Sequence, residues 1–155
     1  MPLMPLSVHE YSLLIIERHL DTFGHVNNAT YLEIFEEARW DWIERGGFGL
    51  ERIRQSGQGP VVLECSVRFR RELSNRTRVT VASRITSYAG KIGRMHQEIQ
   101  LPDGNVACEA DFTMGLFDLE RRKLIEPTPG WLACLGLGGE DWRPSGGAPE
   151  PGQPG

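Results

Sequence analysis

The chain has no long hydrophobic run and no signal-like start. Nowhere in its 155 residues do apolar side chains continue for about 18 positions, the length typical of a membrane-spanning helix. The opening segment MPLMPLSVHEYS places no positively charged region before an apolar stretch, unlike a signal peptide. These absences predict a cytoplasmic location and no membrane partner.

Cysteine is scarce, and positive charge is not in excess. The three cysteines Cys65, Cys108 and Cys134 have no CxxC spacing, and two of them fall within apolar strand patterns, so we expect buried thiols. The formal net charge of -4 argues against nucleic acid as the main partner.

Common catalytic motifs are missing as well. The sequence contains no GxSxG nucleophile elbow, no GxxxxGK[ST] or GxGxxG phosphate loop and no HExxH zinc motif. The histidines His9, His19, His25 and His96 are scattered among different predicted elements, whereas metal ligands cluster at short spacings. We therefore expect neither a metal site nor a cofactor.

What the chain does have is clear hydrophobic periodicity. A strand is predicted within residues 11–19 and a helix over about Asn28–Arg45, where apolar residues recur at spacings of three and four. Gly46 and Gly47 end this helix, and a Gly-rich loop leads to Pro60. The apolar period then changes to two over four further strands. This order predicts an α+β fold, with one long helix against an antiparallel sheet of about five strands.

The length is that of a single domain. We assign residues 1–133 to this domain and residues 134–155 to a Gly/Pro-rich tail. Eight of the last twelve residues, PSGGAPEPGQPG, are Pro or Gly. Such a composition cannot bury apolar surface, and it predicts disorder.

A carboxylate precedes the predicted helix. Asp21 lies three positions before the turn GHVNN, which opens directly into the helix. A helix N-terminus presents unpaired N–H groups and about half a positive charge, which stabilises an oxygen that becomes negative during a reaction. A nearby carboxylate serves as nucleophile, or as general base for a water. This combination fits acyl transfer, and helix capping is the alternative role for Asp21.

Segment 21–39, DTFGHVNNATYLEIFEEAR, resembles the signature DxxGHVNNxxYLxxFExAR of the hot-dog-fold acyl-CoA thioesterases, specifically the 4-hydroxybenzoyl-CoA thioesterase-like group. The resemblance extends over about residues 8–130. It implies the hot-dog fold, in which an antiparallel sheet wraps a central helix. It also implies hydrolysis of a fatty or aromatic acyl-CoA to free acid and CoA, with no cofactor.

The resemblance assigns roles residue by residue. Asp21 would be the catalytic carboxylate, and the N–H of Asn28 would contact the carbonyl oxygen, with Asn27 as a second candidate donor. Gly24 would permit the close turn. The side chains of His25 and Asn27 would position water or the loop, and a purely structural role in the turn is the alternative for His25.

Further residues are expected to bind the substrate. Tyr31 and Phe35 would line the acyl pocket or simply fill the core. Lys91 and Arg94 flank a Gly-containing turn and could contact the phosphates of CoA, although a solvated strand end is the alternative. The resemblance implies a homodimer or homotetramer with active sites between subunits.

Some positions depart from the family pattern or remain open. Many relatives have a second Asp where this chain has His19, and a Pro and a Gly-Asp where this chain has RRELSNRTR. Glu36 and Arg39, three residues apart, are interpreted as a structural ion pair.

The alternative functions are a non-catalytic acyl-CoA-binding hot-dog protein, an acyl carrier protein thioesterase, and a hydratase acting on the acyl chain. The sequence favours an acyl-CoA thioesterase, because the carboxylate is intact and the turn resembles the thioesterase form.

Overall fold

One long helix packs against a single sheet. The computed structural model describes residues 7–144. Its strands are β1 (His9–Leu14), β2 (Gln58–Phe69), β3 (Arg78–Ala89), β4 (Ile92–Gln100), β5 (Val106–Asp118), β6 (Lys123–Ile125) and β7 (Trp142–Arg143). Its α-helices are α1 (Asn28–Arg45), α2 (Leu50–Ser56) and α3 (Pro129–Cys134). Within this range no helix is both long and apolar enough to cross a membrane.

Five strands form the main sheet, in the spatial order β1-β3-β4-β5-β2. All neighbours along this path are antiparallel. The short strand β6 adds to β5, and β7 pairs with β3 in parallel. The predicted α+β class, with about five antiparallel strands and one long helix, is confirmed, and β1 and β2 lie at the two edges.

The core forms where α1 meets the inner face of the sheet. The buried residues of α1 are Tyr31, Ile34, Phe35, Ala38, Trp42 and Ile43. Phe35 is fully buried and meets the ring of Phe112 edge-on, with 6.0 Å between ring centroids. Because this packing fixes the axis of α1, it also fixes the position of Asn28 at the start of the helix.

The inner face of β2 is left uncovered by α1. Val62, Cys65 and Phe69 pair with Met114, Phe112 and Cys108 of β5. Side chains directly opposite each other in a sheet lie on the same face, so these β2 residues point inward. They are nevertheless exposed, because the helix does not extend over this edge. The expectation of three buried thiols is therefore wrong for Cys65 and confirmed for the other two cysteines.

A short helix, α2, replaces part of the predicted Gly-rich loop. It begins after Gly49 and ends at Gly57, which has a left-handed backbone with φ of 69°. None of its residues is fully buried. A helix of seven residues with no buried face gives only a weak periodic signal, which is why the sequence did not predict it.

The ordered chain extends beyond the predicted domain end at residue 133. Leu135 and Leu137 are buried beside the fully buried Trp131 of α3. Strand β7 then pairs with Tyr88 and Ala89 of β3. Residues 134–143 therefore pack against the domain, and the predicted boundary is corrected accordingly. Residues 145–155 of the predicted tail lie outside the described residues.

Candidate active site

A tight loop presents Asp21 just before α1. Leu20 and Val26 form an antiparallel bridge across it. Inside the loop, the N–H of Asp21 donates to the carbonyl of His25 at 2.9 Å, and the N–H of Gly24 donates to the carbonyl of Asp21 at 3.0 Å. Gly24 has φ of 80°, and a Cβ there would meet nothing within 4 Å. The loop therefore needs glycine for its dihedral angles, and not because a Cβ would be obstructed.

The two carboxylate oxygens of Asp21 have different surroundings. Oδ1 accepts from the N–H of Phe23 at 2.9 Å and, more weakly, from the N–H of His25 at 3.4 Å. Within residues 7–144, Oδ2 accepts no hydrogen bond from a protein donor. Asp21 therefore stabilises its own turn with one oxygen and leaves the other available for chemistry.

The start of α1 offers free backbone donors. Asn27 precedes the helix in an extended conformation, and its side chain makes no capping hydrogen bond. The N–H of Asn27 donates to the carbonyl of His19 at 3.4 Å, whereas the N–H of Asn28 has no acceptor in the part of the chain that the structure describes. The positive end of the helix dipole lies at the same point. Asn28 is thus the better placed of the two candidate donors.

Asp21 and Asn28 line the same cleft, whose volume is about 640 Å³. Its other lining residues are Phe23, His25, Val26, Tyr31, Phe69, Arg70, Arg71 and Glu72. The rings of Tyr31 and Phe69 meet edge-on at 5.3 Å and form an apolar wall. The cleft therefore brings together a carboxylate, a free N–H donor and an apolar surface, and its size is that of a small-molecule site.

His25 lies in this cleft, but its contacts are those of a turn residue. Its backbone is bonded within the loop, it bridges to Ser74, and its Nε2 lies 3.3 Å from a carboxylate oxygen of Glu72. These contacts favour a structural role over acid–base chemistry.

Three predicted substrate-binding residues lie away from the cleft. Phe35 is in the core. Lys91 and Arg94 lie at the β3–β4 turn, and this end of β4 meets β5 at Met114, whereas β2 meets β5 at Cys108 beside the cleft. The six residue steps between these two positions span about 20 Å of strand. Within one chain, Lys91 and Arg94 are therefore not brought together with Asp21.

Arg70 and Arg71 are the cations that line the cleft. The sequence shows them as two adjacent basic residues but does not place them near Asp21. The missing information was the pairing of β2 with β5, which brings the end of β2 beside the start of α1.

A second cavity lies farther along α1. We call the space between α1 and β2 the seam; the cleft borders it at Tyr31 and Phe69, and the second cavity borders it at Trp40 and Val62. Its far part contains a cavity of about 340 Å³ that Arg39 lines. The sequence did not predict this cavity.

Arg39 does not form the predicted ion pair with Glu36. Its Nη1 donates to Oε1 of Gln97 at 2.9 Å, and its guanidinium carbon lies 4.5 Å from the centroid of the Phe112 ring. Within residues 7–144, no carboxylate lies within 4.0 Å of the guanidinium. Burial lowers the pKa of Arg39 below its ordinary value. The side chain still carries its charge, since arginine is not deprotonated in proteins.

His19 stabilises the segment of chain that leads into the Asp21 loop. The residue is 4% exposed, and its Nδ1 accepts from the N–H of Ile16 at 2.9 Å. Burial lowers the pKa of His19 below its ordinary value, and the charge of Arg18 lowers it further. The imidazole is therefore neutral at neutral pH, and it fixes the chain just before Asp21. From the sequence alone, His19 is identified only as a position where this chain differs from many relatives.

Residues 17–135 match the model of a family described as the thioesterase-like superfamily. The chain belongs to the thioesterase-like superfamily. This membership confirms the resemblance to hot-dog thioesterases and the predicted class of enzyme, a thioester hydrolase. The matched range includes the Asp21 loop, α1 and the five strands β2–β6.

Known proteins resemble this thioesterase over most of its length. It is 35% identical over 108 residues to the long-chain acyl-CoA thioesterase FadM of Escherichia coli strain K12, covering 69% of this chain and 81% of FadM. The crystal structure of YbaW, a probable thioesterase from Escherichia coli, has a TM-score of 0.74 and 30% identity, covering 83% of this chain and 98% of that chain. A Staphylococcus aureus protein solved in complex with CoA has a TM-score of 0.80 with 18% identity, covering 97% and 94%.

Proposed function

We propose that this thioesterase hydrolyses the thioester of an acyl-CoA to a free acid and CoA. The observation that carries the proposal is the free Oδ2 of Asp21 in the same cleft as the unpaired N–H of Asn28. The similarity to a long-chain acyl-CoA thioesterase supports a fatty acyl chain as the group that is released.

The steps follow from this geometry. The thioester carbonyl binds with its oxygen at the N–H of Asn28, where the helix dipole stabilises developing negative charge. Asp21 then attacks the carbonyl carbon, or removes a proton from a water that attacks it. The tetrahedral intermediate collapses and expels the CoA thiolate, which takes up a proton. In the nucleophilic route, water then hydrolyses the anhydride formed with Asp21.

The rest of the cleft fits the two ends of such a substrate. Arg70 and Arg71 lie at its rim, where their guanidinium groups can bind the phosphates of CoA. Arg70 already pairs with Glu109 at 2.9 Å, and Arg71 lies 3.6 Å from Asp103. Each guanidinium has further N–H donors, since one arginine carries five. The acyl chain leaves the cleft past Tyr31 and Phe69 and enters the seam.

We also propose that two chains associate through β2. Leu63 and Val62 are 47% and 43% exposed on this edge strand, and Trp40 of α1 beside it is 40% exposed. A two-fold axis reverses the direction of β2 in the partner. The turn that carries Lys91 and Arg94 in one subunit would then approach the cleft of the other, as expected for a site between subunits. Association into a homodimer or homotetramer and a cytoplasmic location stay predictions.

The experiment is to measure thiol release from palmitoyl-CoA, a short-chain acyl-CoA and benzoyl-CoA by the wild type and by Asp21→Asn. The amide keeps the shape of the side chain, and its oxygen still accepts from the N–H of Phe23. We expect kcat to fall by a factor of about 100 or more, since a positioned base or nucleophile contributes about that much. Glu33→Gln on the exposed face of α1 is the matched control.

The outcome that contradicts the proposal is release of thiol at similar rates by the wild type and Asp21→Asn. A lack of turnover for every ester, with retained binding of acyl-CoA, would favour the non-catalytic alternative. Faster turnover of palmitoyl-acyl carrier protein than of palmitoyl-CoA would reassign the carrier. Single turnover in oxygen-18 water distinguishes the two routes, because only the nucleophilic route can place the label in Asp21.

A further inference from the structure

The cavity in the far part of the seam contains two charged side chains that thioester hydrolysis does not use. Most of its walls are apolar, formed by Trp40, Ile43, Pro60, Val61, Val62, Met95, Phe112 and Met114. Arg39 and Glu36 complete the lining. A purely hydrocarbon chain would pair with neither charge, and the cost of an unpaired charge falls mainly on Arg39, which is partly buried, whereas Glu36 is exposed.

Arg39 is held in place from the core side. Its partner Gln97 is fully buried, and Nε2 of Gln97 donates to the carbonyl of Phe35 at 3.1 Å and to Oγ of Ser83 at 2.9 Å. These bonds fix the amide so that its Oε1 faces Arg39. The guanidinium is therefore fixed in orientation before any ligand binds.

Arg39 has donors beyond the one that binds Gln97. A guanidinium has five N–H groups, and one of its nitrogens bonds to Gln97. Within residues 7–144, no fully buried side-chain nitrogen lacks a hydrogen-bond partner. The other two nitrogens of Arg39 are therefore not fully buried, and we infer that they reach the cavity that this residue lines.

Glu36 is a hydrogen-bond acceptor, whereas Arg39 is a donor. Its carboxylate accepts one long hydrogen bond, 3.4 Å, from the indole N–H of Trp40, and it lies more than 4.0 Å from the guanidinium of Arg39. Arg39 can only donate hydrogen bonds, whereas an ionised Glu36 can only accept them. A hydroxyl group does both and satisfies the two side chains at once. A carboxylate ligand would instead be repelled by Glu36.

The distance from the reaction centre decides where this hydroxyl lies on the substrate. Arg39 follows Asn28 by eleven residues in the same helix, which corresponds to about 16 Å along the axis. Aromatic and short acyl groups end well before this point. We propose that the cavity binds a hydroxyl at the far end of a long acyl chain, so that the preferred substrate is a long-chain ω-hydroxyacyl thioester. This inference rests on the proposed function, since the chain enters the seam from the cleft at Asp21.

The test compares three thioesters of equal chain length: palmitoyl-CoA, ω-hydroxypalmitoyl-CoA and β-hydroxypalmitoyl-CoA. We expect the wild type to hydrolyse the ω-hydroxy ester with a kcat/KM about tenfold or more above that of palmitoyl-CoA, since hydrogen bonds to charged groups are worth roughly this factor. The β-hydroxy ester should gain nothing, because its hydroxyl lies near the thioester. Arg39→Met and Glu36→Ala should each remove most of the preference.

Arg45→Met is the matched control, because it removes a cation from the same helix outside the cavity, where Arg45 pairs with Asp41. It should keep the preference. Arg39→Met removes a partner of Gln97. If this variant does not fold, Glu36→Ala, at an exposed position, tests the inference on its own.

Equal kcat/KM values for palmitoyl-CoA and ω-hydroxypalmitoyl-CoA in the wild type would overturn the inference while leaving the proposed function intact. A preference that persists in both Arg39→Met and Glu36→Ala would also overturn it. If Arg39→Met dissociates the oligomer and Glu36→Ala keeps the preference, Arg39 is a subunit contact and the inference fails. If the wild type hydrolyses no acyl-CoA, the proposed function fails and this inference fails with it.

Discussion

His19 and Asp21 are two residues apart in the sequence, and their side chains have opposite surroundings. Asp21 lines an open cleft with one oxygen free of protein donors. His19 is buried and accepts from the N–H of Ile16. A protonated imidazole has no free acceptor nitrogen, so that this bond requires the neutral form. The conformation of the chain just before the candidate nucleophile therefore depends on an uncharged histidine.

This dependence predicts that stability falls at mildly acidic pH. The pKa of His19 is lower in the folded chain than its ordinary value of 6.5, even though the carboxylates of Glu33 and Glu37 partly oppose the shift. The unfolded chain therefore binds more protons below about pH 6.5, and the free energy of unfolding decreases as the pH falls through that value, by at most about 1.4 kcal/mol per pH unit.

His19→Asn removes this titration and keeps an acceptor for the N–H of Ile16. Urea unfolding of the wild type and the variant between about pH 5 and pH 7.5 isolates the contribution of His19, because all other titrating groups are common to both proteins. The stability of the wild type relative to the variant should decrease as the pH falls. Parallel curves would show that His19 contributes nothing to the pH dependence.

At the scale of elements, the end of α1 depends on its contact with the end of α3. Gly46, which follows α1, has an ordinary right-handed backbone, so its dihedral angles do not require glycine. An added Cβ would lie 2.5 Å from the carbonyl oxygen of Cys134 and 2.9 Å from its Cα. Backbone atoms cannot move aside as a flexible side chain can. The two helices approach closely here because one residue has no side chain.

Gly46→Ala should therefore lower the free energy of unfolding by about 1–3 kcal/mol, the range typical of overpacked cores. Gly139→Ala is the matched control, because a Cβ there meets nothing within 4 Å, and it should change stability by less than about 0.5 kcal/mol. Chemical denaturation of the three proteins gives the comparison. Equal stabilities would mean that α3 shifts at no cost.

The elements that were predicted best from the sequence are those that carry a local sequence signal of their own. The bounds of α1 agree with the prediction because both ends carry a local signal, GHVNN at the start and Gly46 and Gly47 at the end. Strand β7 has two residues and exists only through its pairing with β3. No local pattern indicates such a strand, so the predicted domain ended too early.

The same difference between local and non-local sequence information applies to the candidate site. Asp21 and Asn28 are close in sequence and were predicted together, and the structure places both in one cleft. Arg70, Arg71 and the Arg39 cavity depend on which strand lies beside α1. That information is non-local, because it comes from the order of strands in the sheet.

At the scale of the whole molecule, the exposed apolar residues are not evenly distributed. Val62, Leu63 and Phe69 lie on β2, and Leu32 and Trp40 lie on the helix beside it. An edge strand with exposed apolar side chains is prone to pair with another strand. The proposed association through β2 would cover these residues and close the seam.

Leu63→Lys should therefore shift the sedimentation coefficient toward that of a monomer, because it places a charge in the contact. Leu119→Lys is the matched control, since Leu119 is 44% exposed and Leu63 is 47% exposed, and Leu119 follows β5 in the turn before β6. The control should sediment like the wild type. If both variants keep the sedimentation of the wild type, β2 is not the contact.

The uncovered edge also makes the thiol chemistry of the chain unusually selective. Burial raises the pKa of Cys108 to about 12 and that of Cys134 to about 11, so these thiols stay protonated and shielded from reagents. Cys65 is exposed on β2. A maleimide dye or spin label would therefore attach at one site per chain without any engineered cysteine. The probe would lie midway along the seam, where it would report on the proposed entry of the acyl chain and on the proposed approach of a second subunit.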